Sequence, residues 1–200
     1  MSVKRFSHVN KQQGWVLLAL LFTPFVLYLN SFTHAWTMDD FPVVVNNLDI
    51  RSLSNFLDNS YPSRPLRELS FLLDYQLFGL SPAGYHVQNL LWHGLNGCLL
   101  LLVTRQLGLS LLPAFFCALF FLVHPLQVEV VANVSHRKDS LALFFCLAST
   151  LAYLKALARD SIDWRWFSLA LGSAGVALFA KQNAAVMLLI FLLAEWSLSP

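Results

Sequence analysis

The chain has 200 residues, of which 57% are hydrophobic and only 12% charged, and its mean hydropathy is +0.59. This composition lies outside the range of ordinary soluble domains and is typical of a polytopic membrane protein. The net charge of +2 is too small to indicate nucleic-acid binding, so we expect membrane lipids and lipid-borne molecules as partners.

The first strongly apolar run covers residues 14–32 and follows a basic N-terminus without a small-residue cleavage site. This pattern predicts a retained signal-anchor helix rather than a cleaved leader. Because a spanning helix needs about 20 mainly apolar residues, five later runs are further candidates: 85–107, 109–123, 140–158, 166–180 and 183–196. The predicted fold is therefore all-α with about six transmembrane helices. The third, fifth and sixth runs are short, and one interrupted hydrophobic hairpin is the alternative for the last two.

Between the first two runs, residues 33–84 mix Asp, Asn, Pro and Ser with apolar residues and predict a large outer loop. Within it, 49–59 and 65–79 place apolar residues near helical spacing, as in short amphipathic helices at a membrane surface. We thus expect one membrane domain over residues 1–200, made of the first helix, this loop and a helical bundle over 85–196. The three cysteines, Cys98, Cys117 and Cys146, each lie in an apolar run and are interpreted as buried thiols.

Basic residues set the expected orientation. They cluster before the first helix, at the end of the second and between the fourth and fifth: Lys4, Arg5, Lys11, Arg105, Lys155, Arg159 and Arg165. The positive-inside rule assigns these positions to the cytoplasm. The loop 33–84, the connection 124–139 and the turn at 181–182 then lie together on the opposite face.

Two adjacent carboxylates, Asp39 and Asp40, open the outer loop beside Trp36, Met38 and Phe41. A carboxylate in apolar surroundings with a second acid next to it has the raised basicity that a general base needs. A helix N-cap or a solvated turn is the structural alternative.

The connection 124–139 and its neighbours supply the matching cations. It contains His124, Glu129, His136, Arg137, Lys138 and Asp139, and we predict an acid/base and phosphate-binding edge, with simple headgroup anchoring as the alternative. Arg64 and Arg67 pair either with Glu68 or with a phosphate, and Lys181 either snorkels or joins the site. No nucleotide-binding, zinc-protease or serine-hydrolase motif is present.

Four stretches carry a family resemblance: "DDFPVVVNNLDIRSL", "SRPLRELSFLLDYQLFGLSPAGYHVQNLLWHGLN", "ALFFLVHPLQVEVVANVSHRKDSLALFFCLASTLAYL" and "FAKQNAAVMLLIFLLAE". Their order and spacing over about residues 33–195 resemble the N-terminal membrane region of the transmembrane O-mannosyltransferases that carry tetratricopeptide repeats, and of their bacterial relatives. One departure is Gln182, where relatives often have Glu. Such enzymes normally continue beyond this length, so we interpret the chain as an N-terminal fragment or a reduced relative.

The resemblance implies a GT-C glycosyltransferase that moves a mannose-like sugar, with inversion, from a polyprenyl-phosphate carrier to a protein or glycan hydroxyl on the non-cytoplasmic face. It implies Asp39 and Asp40 as catalytic residues. Its matched patterns also bring Arg64, His124, Glu129, Arg137 and Asp139 into the site. The charge of the leaving phosphate needs cations, so we expect Arg64, Arg137, Lys138 and Lys181 to bind the donor phosphate, with His124, Glu129 and Asp139 as supporting residues.

Several alternatives stay open at this stage. A divalent cation, Mg or Mn, bridging the acids and the phosphate is one, although the ligand set is incomplete. The simple loops favour a bacterial inner membrane over an endoplasmic-reticulum membrane. A non-catalytic scaffold or transferase fragment, and then a transporter, are the rival functions.

Overall fold

The structure is a computed structural model, and it describes residues 10–59, 64–158 and 161–198. All regular secondary structure in these ranges is helical, which confirms the all-α prediction. The α-helices are α1 (Lys11–Leu27), α2 (Leu53–Asp58), α3 (Pro65–Phe78), α4 (Pro82–Gln106), α5 (Leu111–Val123), α6 (Gln127–Ala132), α7 (Arg137–Leu157), α8 (Trp164–Ala180) and α9 (Met187–Leu198). The shorter helical segments are 3-10 helices at Leu29–Thr33, Val134–His136 and Gln182–Val186, and a π-helix at Phe41–Val45.

Local chemistry explains where the helices begin and end. The Asn10 side chain accepts a 2.8 Å hydrogen bond from the Gln13 N–H and caps α1. Pro65 and Pro82 open α3 and α4, where the missing N–H is not needed for an intrahelical bond. Helix α3 stops at Gly79, whose φ of 58° is accessible to glycine at little cost.

Helix α4 is the centre of the bundle. It packs against α1 and α5 on one side and against α7 on another, and α7 in turn carries α8. Two glycines permit the close approaches: a Cβ at Gly94 would lie 2.5 Å from the Leu21 carbonyl oxygen, and one at Gly97 would meet Leu122. The contacts of α4 therefore depend on the absence of side chains at these two positions.

Each of the six apolar runs coincides with a helix in the structure. By length and hydropathy, Val134–Leu157 is the one helix in the described residues that could cross a membrane, and Leu111–Val123 and Gln182–Leu193 are shorter apolar helices. The helical character of the runs is thus confirmed, while a six-span topology stays a prediction. The basic residues Lys4, Arg5 and Arg159 lie outside the described ranges.

The surface of the bundle is unusually apolar. Helix α1 exposes Trp15, Leu18, Phe22 and Val26 along one stripe, and α5 exposes Leu112, Phe116 and Phe120. The interpretation of the cysteines as buried is wrong in this respect: Cys117 is exposed on α5, and Cys98 and Cys146 are only partly buried. Their apolar runs offer outward faces as well as core positions, and sequence alone did not separate the two.

Helix α3 is amphipathic, but its charged face is buried and its apolar face is exposed, the opposite of a surface helix in a soluble protein. It buries Arg67, Glu68 and Asp74, and it exposes Leu69, Leu73 and Leu77. Charged side chains of a soluble surface helix face water. The two amphipathic helices predicted in the loop are present as α2 and α3, and the charges of α3 point into the protein.

Candidate functional site

Asp40 is fully buried at the start of the π-helix, and its carboxylate is held by three hydrogen bonds. Oδ2 accepts from the N–H and the hydroxyl of Thr37, each at 2.9 Å, and Oδ1 accepts from the Ser135 N–H at 2.8 Å. The Ser135 bond joins the outer loop to the connection before α7. Asp40 therefore fixes the position of the loop on the bundle.

Asp39 lies next to Asp40 and is exposed, with no hydrogen bond or ion pair to any other residue in the described part of the chain. The two acids consequently differ in chemistry. Both oxygens of Asp40 accept protein hydrogen bonds, whereas the carboxylate of Asp39 is open to take a proton from an incoming group.

The turn at Val134–His136 forms hydrogen bonds with both Asp40 and Lys138. The Asn133 Oδ1 accepts from the N–H and the hydroxyl of Ser135, at 3.1 and 2.8 Å, so this side chain caps the turn. Lys138 is half-buried, and its Nζ lies 3.4 Å from the Ser135 carbonyl oxygen. One residue, Ser135, thus touches both the acid of the loop and a cation of α7.

Arg137 is buried at the start of α7 and has a protein partner for every guanidinium nitrogen. Nε donates to Asn89 Oδ1 at 2.8 Å, Nη2 donates to the Tyr85 carbonyl at 2.9 Å, and Nη1 forms an ion pair with Asp74. The guanidinium also lies 4.6 Å from the centroid of the Phe71 ring. This geometry argues against direct phosphate binding by Arg137, because the side chain is buried and each of its nitrogens already donates to a protein acceptor.

Asp74 is the α3 residue that pairs with Arg137, and its environment shifts the pKa of its carboxyl group. Burial raises the pKa of Asp74, and the adjacent Arg137 guanidinium opposes that rise. Asn89 complements the pair from α4, since its amide donates to the carbonyls of Val131 and Asn133 at 3.2 Å each. These contacts tie α3, α4 and α7 together directly beneath the acidic loop.

Lys181 comes from the end of α8 and pairs with Asp139 of α7. His136 Nδ1 lies 3.6 Å from the other oxygen of Asp139. The three side chains keep 21 to 30% of their surface exposed, so the cluster stays open to a ligand. The third predicted outer connection therefore meets the second one, as the expected orientation requires.

Arg64 and Arg67 bring a further pair of cations from α3. Leu66 packs against Leu141, Ala142 and Ala180. This contact brings the start of α3 next to the start of α7, which contains Lys138, and the end of α8, which is followed by Lys181. Burial lowers the pKa of Arg67; Glu68 opposes the shift and Arg64 adds to it. Lys138 in turn lies within electrostatic range of Arg64, Arg67, Asp139 and Lys181.

His124 and Glu129 have looser placements. The His124 Nδ1 accepts from the Leu126 N–H at 3.2 Å, and its ring stacks edge-on with Phe120, so this histidine shapes the bend after α5. Glu129 is exposed on the short helix α6. Neither has a hydrogen bond or ion pair with Asp39, Asp40 or the cations among the described residues.

A metal site finds little support in the side chains. Among the described residues, no three His, Cys, Asp or Glu side chains form a group that could hold an ion. Asp40 has both oxygens occupied by protein donors. His86, which lies within electrostatic range of Asp40, forms an edge-to-face ring pair with His34 at 6.0 Å. The residues present therefore do not fit a metal bridging the two acids.

Sequence reasoning missed Asp74, Asn89, Thr37 and Ser135. A single acid at Asp74 and an amide at Asn89 inside otherwise apolar helices were the signals available, because polar groups in such positions usually have partners. The identity of those partners depends on the fold.

The chain was compared with families, solved structures and curated proteins. No family model and no solved structure matches it. It is similar to protein O-mannosyl-transferase Tmtc1 of Drosophila melanogaster, 35% identical over 83% of this chain and 21% of the relative. Protein O-mannosyl-transferase TMTC4 of Homo sapiens is 31% identical over 87% of this chain and 28% of the relative, and TMTC3 of Mus musculus is 31% identical over 78% and 19%.

The chain thus spans between about a fifth and somewhat more than a quarter of the curated relatives it matches. These three relatives are animal proteins, so the comparison gives no support to a bacterial membrane. The recognition made from the sequence is confirmed: over most of its length this chain has TMTC-type protein O-mannosyl-transferases as its homologues.

Proposed function

We propose that the chain carries the donor site of a polytopic membrane glycosyltransferase. In this proposal it moves a mannose-like sugar from a polyprenyl-phosphate carrier to a hydroxyl of a protein or glycan on the non-cytoplasmic face. The names of the relatives support sugar transfer to a protein. The single observation that carries the site is the joining of three distant connections at one end of the bundle, through Asp40 with Ser135 and through Asp139 with Lys181.

The membrane location draws on the surface of the protein. Helix α3 turns its leucines outward and its charges inward, and α1 and α5 expose aromatic and aliphatic stripes. Such surfaces suit contact with lipid. A donor whose phosphate lies at the membrane edge reaches the cations at the end of the bundle without leaving the bilayer.

We assign the general base to Asp39. Its exposed carboxylate accepts the proton of the acceptor hydroxyl while that oxygen forms a bond to the anomeric carbon. The bond between this carbon and the phosphate oxygen breaks, and the electron pair leaves with the polyprenyl phosphate. Attack from the side opposite the leaving group gives inversion at the anomeric carbon. Asp40 does not take the proton in this scheme, because its oxygens are held by Thr37 and Ser135.

The leaving group gains one negative charge as the bond breaks, and stabilising it is the main task of the surrounding cations. Arg64, Lys138 and Lys181 are placed for this role, with Asp139 holding Lys181 in position. Arg137 contributes indirectly by fixing the turn that precedes Lys138. The scheme draws its positive charge from these side chains, since among the described residues no three His, Cys, Asp or Glu side chains form a group that could hold a metal ion.

The test is a transfer assay in phospholipid vesicles that contain the 200-residue chain. The donor is a polyprenyl-phosphate mannose with a labelled sugar, and the acceptor is a mixture of Ser- and Thr-containing peptides. The proposal predicts label in the peptides with the wild type and with R165Q, whose side chain lies at the far end of the bundle. It predicts at least a hundredfold less label with D39N, in line with the loss of a general base. Equal transfer by D39N would remove Asp39 from the mechanism.

A non-catalytic scaffold is the second candidate function. It is favoured by the burial of Asp40 and Arg137, two predicted site residues whose polar atoms hydrogen-bond to groups of the protein itself. A scaffold predicts no transfer by the wild type in this assay, even with the chain correctly folded and inserted.

A further inference from the structure

Two arginines are buried at the candidate site, and their surroundings differ sharply. Arg137 is 1% exposed, and all three of its nitrogens have protein acceptors. Arg67 is 4% exposed, and its Nε is buried without an acceptor. Its nearest carboxylate oxygen, on Glu68, is 3.6 Å from Nη2, which is beyond hydrogen-bond length. Buried guanidinium groups are normally fully hydrogen-bonded, so the buried Nε of Arg67 is left without the acceptor that a ligand anion could supply.

The neighbourhood of Arg67 also carries excess positive charge. Lys138 lies within electrostatic range of three cations, Arg64, Arg67 and Lys181, and of one acid, Asp139. Arg67 lies within the same range of Arg64 and of the acid Glu68. Asp139 is already paired with Lys181. Four cations therefore face two carboxylates, and the surplus is two positive charges.

The ligand that fits this environment is a phosphate. A guanidinium presents parallel N–H donors that match phosphate oxygens, and the lysines add charge around them. A phosphodiester-linked donor carries one negative charge, and the phosphate monoester that leaves carries close to two, which the surplus can balance. The outward leucines of α3, Leu69, Leu73 and Leu77, place an apolar surface on the same helix, suited to a prenyl chain.

We infer that Arg67 is the buried end of the phosphate site and binds the phosphate of a polyprenyl-phosphate lipid. This inference rests on the proposed function and adds a residue to it. In this assignment Arg67 binds the phosphate directly, whereas Arg137 stabilises the packing of α3, α4 and α7.

The first experiment measures equilibrium binding of radiolabelled farnesyl phosphate to the 200-residue chain in detergent micelles. The variants are R67M, which keeps the apolar length of the side chain, and R105M as a matched control, because Arg105 donates to the Leu109 carbonyl at the far end of α4. We expect at least tenfold weaker binding by R67M and unchanged binding by R105M. Equal binding by R67M and the wild type, or no binding by the wild type, would overturn the inference.

Two further ligands identify the source of the phosphate. Farnesol lacks the phosphate, and inorganic phosphate lacks the chain. We expect neither to displace farnesyl phosphate at equal concentration. Displacement by inorganic phosphate would show a site for free phosphate, and displacement by farnesol would show a site for the chain alone; each would contradict the assignment. The assay contains no sugar and no acceptor, so its result is independent of whether transfer occurs.

Thermal unfolding without ligand separates a binding role from a structural one. A guanidinium that waits for an anion costs stability in the empty protein, so R67M should unfold at the same temperature as the wild type or higher. R67K, which retains the charge, should recover part of the farnesyl phosphate affinity. A lower unfolding temperature for R67M, or its failure to fold, would show that Arg67 serves the fold and would overturn the inference.

Discussion

The carboxylate of Asp40 accepts a 2.8 Å hydrogen bond from the backbone N–H of Ser135, which lies 95 positions later in the chain. This bond joins the outer loop to the turn before α7, and the same serine offers its carbonyl oxygen to Lys138. An acid and a cation of the proposed site are thus held by opposite ends of one residue. Asp40 is a positioning residue, and its neighbour Asp39 is left to do chemistry.

The two acids should therefore respond differently to the same substitution. In D40N an amide nitrogen would face the donors of Thr37 or Ser135, so we expect a loss of about 1–3 kcal/mol in unfolding free energy as well as a loss of transfer. In D39N we expect no change in unfolding, because the side chain is exposed. Denaturant unfolding beside the transfer assay measures both. An unfolding curve of D40N that matches the wild type would contradict the role given to Asp40.

The buried pair of Arg137 and Asp74 predicts strong coupling. R137M leaves an uncompensated carboxylate in the interior, and we expect it to cost about 3–5 kcal/mol of unfolding free energy. D74L leaves the guanidinium unpaired and should cost a similar amount. The double variant removes both charges and should be more stable than either single variant. A double-mutant cycle on these proteins measures the coupling, and additive losses would show that the pair is not a unit.

Much of this arrangement was visible in the sequence, and some of it was not. Apolar runs predicted six of the seven helices of 12 or more residues in the described ranges, all but α3, because a long apolar segment in a membrane satisfies its backbone hydrogen bonds as a helix. The pattern of α3 predicted a helix but not its orientation, since periodicity marks two faces without showing which one is covered. The structure shows that Arg67 and Asp74 lie on the covered face.

The partners of Arg137 could not be predicted at all. Asp74 and Asn89 lie 63 and 48 positions away, and only the packing of α3 and α4 against α7 brings them together. In the sequence, the adjacent residues Arg137, Lys138 and Asp139 therefore indicated a single phosphate-binding site. In the fold its members separate: Arg137 points into the protein, and Lys138 and Asp139 remain partly exposed.

Lys181 provides a test of donor binding that spares the fold. Its pair with Asp139 is partly exposed, so the loss of stability in K181M should stay below about 1 kcal/mol. We expect the KM for the lipid donor to rise about tenfold, because one cation near the phosphate is gone. R165Q removes a cation from the far end and serves as the control. An unchanged KM in K181M would exclude Lys181 from the donor site.

The contact of α1 with α4 depends on Gly94. In G94A the new Cβ would lie 2.5 Å from the Leu21 carbonyl oxygen, so the helices must separate, and we expect a loss of about 1–3 kcal/mol. Gly172 in α8 has open space around its Cα. G172A should accordingly be neutral or more stable by about 0.5–1 kcal/mol, because alanine is the better helix former. Thermal unfolding of the two variants gives the comparison, and equal effects would contradict the close approach.

Accessibility labelling tests the proposal that the three connections form one site on the non-cytoplasmic face. With Cys98, Cys117 and Cys146 replaced, single cysteines are placed at Met38, Lys138 and Gln182, with Ile162 at the opposite end as the control. A membrane-impermeant maleimide is applied to oriented vesicles. We predict that the first three positions react from the non-cytoplasmic side and that Ile162 reacts only after the membrane is opened. Reaction of the cysteines at positions 38 and 182 from different sides would show that the connections do not form one site.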